Sequence, residues 1–489
     1  MLFNSFGFIF VFLPIVLSVF YFFLKFNLQK FTILWLIAAS LIFYAQWNIN
    51  YLGLLLASIC FNYFISTKIL CFQNNKNTYA AKKYLLLGVF ADLMLLGYYK
   101  YTNFGIEALN TAFHWHIPSQ NIILPLGISF FTFTQIAYIV DAFKLKVTEY
   151  SFSKYCLFVT YFPHLIAGPI LHHGEMIPQF NLSKLKNNKI FQNIYFGLLI
   201  FIVGLFKKIM IADPLSLYVA QGFDQAYSLS FLDAWITSLS YTFQLFFDFS
   251  GYSDMALGLG LMFQTYLPIN FNCPYRAINI QDFWRRWHIT LSNFLRDYIY
   301  IPLGGSRGKQ SRLYGNIIIT FLIGGLWHGA GWLFLIWGGL HGIALVIHRQ
   351  FQKFHHQLGN IQSWFITFLF VNFAWVFFRA NSLDSATKII KGMFGANGFT
   401  TTHSLFNLNT ILDKYKVTYD LLPFLNTNQF AYLCLIVSMV FASILTVQNT
   451  HNFVKKIKPN FIMLLLILIA TILLLFNLNK STEFLYFNF

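Results

Sequence analysis

From residue 313 to residue 348 the chain runs for 36 residues without an Asp, Glu, Lys or Arg. Other charge-free runs include 1–24, 31–67, 108–140, 155–174, 354–378, 421–454 and 459–479. A helix that crosses lipid needs roughly 20 apolar residues, so the longest runs have room for a pair of spans. No water-soluble core accommodates this. Charged residues make up 10% of the chain, against about 25% in an ordinary soluble domain. The pattern predicts an all-α, polytopic membrane protein of about 11 transmembrane or re-entrant helices, in a single membrane-embedded domain over residues 1–489. No basic residue precedes the first run and no small-residue cleavage site follows it, so it reads as a retained span.

The net charge of +17 would suggest nucleic acid in a soluble chain. Here the basic residues lie in short segments between apolar runs, such as 184–189, 285–312 and 455–458. That is the distribution of cytoplasmic loops attracted to anionic lipid, and no nucleic-acid partner is expected. The cysteines, at 60, 71, 156, 273 and 434, form no close pair and no C-x-x-C, so neither a disulfide nor a zinc site is expected. Two stretches are polar enough to leave the bilayer, 270–312 and 381–420. The first carries seven basic residues against two Asp, mixed with Phe283, Trp284, Trp287, Tyr298 and Tyr300. It reads as an amphipathic segment dipping into the cytoplasmic interface.

Within the charge-free run lies GGLWHGAGWLFLIWGGLHG, starting at Gly324. Glycines at 324–325, 329, 331 and 338–339 allow a helix to break or backbones to approach closely. A broken helix inside a membrane must border protein or a water-filled cavity. His328 in such a place is either a packed, satisfied imidazole or a proton acceptor working near pH 7. His341, His348 and Trp337 share one helical face, which ordinary packing explains. The stretch FWRRWHITLSNFLRDYIYIPLGGSRG, from Phe283, offers His288, Arg285 and Arg286. The arginines could grip phosphates or snorkel to the interface. Asp141, Asp248 and Asp254 sit in apolar surroundings at a cost on the order of 3 kcal/mol each, so they should face the protein interior, as interhelical hydrogen bonds or as substrate contacts. His172 and His173 are adjacent, and two neighbours on a helix cannot point the same way. With His164 they match no usual zinc spacing, and no metal is expected. P-loop, G-x-S-x-G and H-E-x-x-H patterns are absent from the sequence.

Taken together, these segments resemble the signature of the membrane-bound O-acyltransferases, in their bacterial branch of alginate and peptidoglycan O-acetyltransferases. MLFNSFGFIFVFLP, PLGISFFTFTQIAYIVDAF, FPHLIAGPILHH, FDFSGYSDMALGLGLMF, LPINFNCPYRA, WVFFRA and the terminal EFLYFNF extend the likeness over most of the chain. The resemblance implies helices around a funnel or tunnel, with a catalytic core at about 121–379. It implies a cytoplasmic thioester donor, acetyl-CoA, with no permanently bound cofactor. The acceptor would be an extracytoplasmic glycan, reached through a partner acyltransferase outside a bacterial inner membrane. His328 maps onto the principal histidine and His288 onto the second. Trp327, Arg285, Arg286, Asp248 and Asp254 become candidate substrate contacts, and Tyr486 a candidate acyl relay or an aromatic membrane anchor. Two departures stand out: His172-His173 replaces a common Arg-Tyr, and Gln264-Thr265 replaces a common Gly-Phe. Competing readings are D-alanyl or other acyl transfer within the same superfamily, and a transporter or channel whose broken helix lines a transport path.

Overall fold

A computed structural model describes residues 2–147, 151–166, 168–181, 187–353, 358–399, 438, 441, 449–456, 461–478 and 484–485. Its described secondary structure is helical throughout. Five of these helices are long and apolar enough to cross a membrane: Gly7–Lys25, Asn50–Asn74, Lys189–Gln225, Trp332–Lys353 and Asn360–Arg379. Gln29–Ala45, Ile128–Phe143 and Ile467–Asn477 are shorter apolar helices. Large apolar side chains such as Phe22, Leu34, Phe90, Ile347 and Phe365 remain exposed, the surface expected of helices solvated by lipid.

Freedom from charge is not the same as apolarity, and the run 108–140 shows it. It was expected to have room for two spans. Helix Thr102–Phe113 instead stops at His114, which takes a left-handed φ of 54°. An irregular segment containing Pro118 and Pro125 follows, until Ile128–Phe143 begins. Two asparagines of the preceding helix hold that segment by bonding its backbone in both directions. Asn110 Nδ2 donates to the Ile117 carbonyl and Asn110 Oδ1 accepts from the Ile117 N–H, each at 2.9 Å. Asn103 does the same with Gln120. The segment's polar backbone thus finds partners without helix or sheet.

Residues 1–201, 253–269 and 486–488 cluster as one compact unit, and 202–252, 270–485 and 489 as a second. In the first, Ile128–Phe143 is buried on nearly every face and packs against Asn50–Asn74 and Thr78–Leu96. Gly88 marks their closest approach: a Cβ there would lie 2.9 Å from both Ile65 and Ile139. Polar side chains join these helices. Asn62 Nδ2 donates to Asp92 Oδ1 at 2.8 Å, and Gln135 Nε2 to Ser58 Oγ at 2.9 Å. Gln264 occupies a left-handed φ of 62°, a position suited to glycine. Its side chain compensates, accepting from Asn193 Nδ2 at 2.8 Å and donating to the Tyr21 hydroxyl at 2.7 Å. Thr265 and Tyr161 share a 2.7 Å hydroxyl contact. Gln264 and Thr265 are thus held by internal hydrogen bonds.

The second unit is built around a helical hairpin, Gln310–His328 and Trp332–Lys353. Of the two uses open to the glycine pairs, a helix break or close backbone approach, the structure shows the second. One glycine of each pair marks where the hairpin's two backbones touch. A Cβ on Gly325 would lie 2.2 Å from the Phe334 carbonyl oxygen, and one on Gly338 would lie 2.3 Å from that of Phe321. Small residues permit such close packing where lipid supplies no hydrophobic drive. The chain reverses at 329–331, where a Cβ on Gly329 would strike the Phe334 ring at 2.0 Å. The polar segment 270–312 is also more than an interfacial strip. It folds into short helical turns, Pro274–Arg276, Ile280–Trp284, Ile289–Leu295 and Arg296–Tyr300, and buries Trp287, His288 and Leu291 completely. The same unit holds a buried ion cluster. Lys208 Nζ lies 2.6 Å from Asp248 Oδ1 and 2.8 Å from Asp213 Oδ1. The Leu485 N–H donates to Asp248 Oδ2 at 3.0 Å, and the Phe484 ring centroid lies 4.8 Å from Lys208 Nζ.

Candidate active site

His328 is the last residue of its helix, immediately before the reversal. It is 2% exposed, and aromatic rings enclose it. The centroids of Trp327, Trp337 and Phe378 lie 4.9, 5.1 and 5.1 Å from its own, all at steep angles. Edge-on contacts of this kind fix a ring's orientation. Trp375 stacks behind Trp337 at 5.6 Å. The His288 ring stands 6.3 Å from that of His328 and 5.8 Å from that of Trp327. Forty positions separate the two histidines in the chain, and the fold places them side by side in the second unit.

His288 owes its position to an unusual backbone. It sits at φ 41°, ψ 55°, in left-handed geometry, as the residue that starts Ile289–Leu295. Asn270 holds it there. The Asn270 side-chain oxygen faces His288 Nδ1 at 3.2 Å and accepts from the Thr290 N–H at 3.2 Å and the Thr290 hydroxyl at 2.9 Å. The Asn270 carbonyl accepts from the Ile289 N–H at 3.0 Å. An amide oxygen can only accept, so His288 Nδ1 carries the proton and Nε2 presents a lone pair. Burial pushes the His288 pKa from 6.5 down to about 3, which keeps the ring neutral. Asn270 was not singled out from the sequence. Its signal lay in LPINFNCPYRA, where two asparagines, Asn270 and Asn272, flank a phenylalanine.

The remaining candidates scatter. Arg285 is exposed, and Arg286 forms an i,i+4 pair with Asp282 at 2.8 Å. Asp248 belongs to the Lys208 cluster, the interhelical role that burial in an apolar run demands. Asp254 is half-buried in the first unit. His341 is buried, and its Nδ1 accepts from Trp284 Nε1 at 3.2 Å, which agrees with a packing role for that face. Tyr486 lies outside the described residues. Trp337, Trp375 and Phe378, which with Trp327 line the His328 environment, come from the glycine-rich stretch and from WVFFRA.

The helical premise for His172 and His173 does not hold. They are not both on a helix: His172 is extended, at φ −98°, ψ 131°, and only His173 begins the turn His173–Met176. Their rings lie 4.5 Å apart, and both Nε2 atoms face Asp141 Oδ2, at 2.7 and 3.2 Å.

The sequence profile of the MBOAT, membrane-bound O-acyltransferase family, matches residues 38–387. The chain belongs to the membrane-bound O-acyltransferase family. It is accordingly an acyltransferase and a multi-pass membrane protein, and the transporter alternative gives way to this assignment. It is 47% identical, over all of its length and 98% of the relative's, to the peptidoglycan O-acetyltransferase of Helicobacter pylori. The probable alginate O-acetylase of Azotobacter vinelandii is 42% identical over 82% of this chain and 79% of the relative. The teichoic acid D-alanyltransferase of Bacillus subtilis is 27% identical over 54% of this chain and 70% of the relative.

Proposed function

We propose that this membrane-bound O-acyltransferase moves an acetyl group from a cytoplasmic thioester, acetyl-CoA, to hydroxyl groups of an extracytoplasmic cell-wall glycan, with peptidoglycan as the acceptor. The observation that carries the reading is 47% identity, across essentially both full lengths, to a peptidoglycan O-acetyltransferase. D-alanyl transfer rests on a weaker and partial likeness.

In this reading the acceptor oxygen attacks the thioester carbonyl, its proton passes to an imidazole, the C–S bond breaks and the departing sulfur takes the proton. His288 is a poor proton acceptor at neutral pH, because burial holds its pKa near 3. We take His328, the histidine that the family resemblance marks, as the base, and His288 Nε2 as the group that accepts from, and so orients, the incoming hydroxyl. General base catalysis of this kind supplies about 10²–10⁴-fold in rate. The enclosing tryptophans keep water from competing with the glycan for the acyl group. A funnel connecting both faces of the bacterial inner membrane, and a partner acyltransferase on the outer side, complete the proposal. Mass spectrometry of muropeptides from cells carrying wild-type or His328→Ala protein tests it. Loss of O-acetyl groups at an unchanged membrane level of protein is expected. O-acetylation that persists in the variant refutes the assignment.

A further inference from the structure

We propose that Asp141, His172 and His173 form a binding site for one divalent first-row transition-metal ion, of which zinc is the representative. The site uses none of the residues assigned to acyl transfer.

Three donor atoms converge: Asp141 Oδ2, His172 Nε2 and His173 Nε2 lie within 4.8 Å of one another. Two imidazoles and a carboxylate are a donor set that zinc, cobalt, nickel and iron(II) all accept. In a tetrahedral site with bonds of about 2.0–2.1 Å, neighbouring ligand atoms stand roughly 3.3 Å apart. The two histidine–aspartate separations, 2.7 and 3.2 Å, are already close to that figure. The third, between the two Nε2 atoms, is within 4.8 Å, so an ion draws the two rings together by side-chain rotation.

The surroundings prepare the site on one side and open it on the other. The Asp141 side chain is 1% exposed, fixed near the end of Ile128–Phe143, and that of His173 is 5% exposed. The Tyr138 ring meets the His173 ring edge-on at 5.4 Å. The His172 side chain, in contrast, is 41% exposed, which gives an ion a way in from solvent. Three protein ligands leave further coordination positions for water or an exogenous donor.

Two protons must move for this to happen, because both Nε2 atoms face the same carboxylate oxygen: His173, like His172, shifts its proton from Nε2 to Nδ1 when its Nε2 binds metal. His172 Nδ1 accepts from the Gly174 N–H at 3.2 Å, so without metal the neutral ring carries its proton on Nε2 and donates it to Asp141. When Nε2 binds metal, the proton shifts to Nδ1 and the contact to Gly174 opens. At 3.2 Å that bond is at the long end of the normal range, and the exposed ring exchanges protons with solvent, so the rearrangement is accessible. No net proton is released by a neutral ring. Once bound, the ion ties the end of Ile128–Phe143 to the segment 172–173 and stabilises the folded form by mass action.

The test uses the full chain, purified in detergent, stripped with a chelator and dialysed against buffered zinc. Elemental analysis should find about one zinc per chain, with a raised thermal midpoint. Cobalt should give the visible absorption bands of a tetrahedral site. His172→Gln, at a half-exposed position that tolerates change, should weaken zinc binding at least about tenfold while the elution volume stays that of wild type. His172→Gln with His173→Gln should abolish stoichiometric uptake. Wild-type protein that takes up no stoichiometric zinc overturns the proposal, because the cluster is then a carboxylate bonded to two imidazoles and nothing more. A doubly substituted protein that keeps its zinc overturns it as well.

Discussion

Gly338 and Gly339 are neighbours on one helix, yet the structure assigns them opposite responses to the same added methyl. At Gly338 a Cβ would stand 2.3 Å from the Phe321 carbonyl oxygen, roughly 1 Å inside ordinary contact, and the obstacle is backbone. It cannot swing aside as a side chain would, so the hairpin itself must open. Overpacking of this kind costs about 1–3 kcal/mol, partly offset by alanine's advantage over glycine in a helix, about 1 kcal/mol. Activity should suffer more than stability. The contact partner Gly325 is three residues before His328, and a displacement of about 1 Å in a reacting group is worth on the order of 10²-fold in rate. At Gly339 the nearest atom is Leu322 Cδ2 at 3.7 Å, an ordinary contact. Gly339→Ala should therefore be neutral or slightly stabilising. Both variants can be compared by thermal midpoint in detergent and by O-acetyl content of the cell wall. If Gly338→Ala retains wild-type activity, or if Gly339→Ala is equally damaging, the glycines do not set the hairpin spacing.

Three further perturbations follow from the packing. Asn270→Ala leaves the His288 Nδ1–H and both Thr290 donors without their acceptor, at about 2–4 kcal/mol in total, and should lower kcat; Asn270→Asp, which keeps an acceptor, should recover part of both in parallel assays. Lys208→Met strands Asp213 and Asp248 as buried carboxylates and should cost about 3–5 kcal/mol by denaturant titration, whereas adding Asp213→Asn and Asp248→Asn to it should restore much of the loss. Burial lowers the pKa of His164 to about 4 and of His288 to about 3, so the unfolded chain binds protons that the folded one refuses. Stability is complete above pH 6.5 and should fall below it, by up to ~1.4 kcal/mol per pH unit for each ring, and His164→Gln should flatten the pH dependence of the thermal midpoint.

The membrane class was legible because the cost of charge in lipid leaves a direct trace in where Lys, Arg, Asp and Glu occur. The trace misleads where neutral polar residues intervene. His114, Gln120 and Asn121 bear no fixed charge, yet the segment they occupy is no helix. His328 could be selected from its glycine-flanked position, but its pairing with His288 depends on long-range folding that spacing does not encode. Asp248 stands out in the sequence as a carboxylate in an apolar run, while its partner Lys208 lies 40 residues earlier, at a spacing that gives no sign of the pairing. The glycine pairs left two readings open because sequence alone does not distinguish a bent helix from two helices in close contact. His172 and His173 were judged on helical geometry, and the judgement failed because a single extended residue turns one ring back toward the other.

The donor that covers Asp248 Oδ2 comes from Leu485, 237 residues downstream. The sealing of Lys208, Asp213 and Asp248 thus depends on a backbone group that is synthesised only after nearly half the protein has followed Asp248. Loss of residues 484 and 485 would remove the Leu485 N–H and the Phe484 ring, and so unseal these buried charges of the second unit.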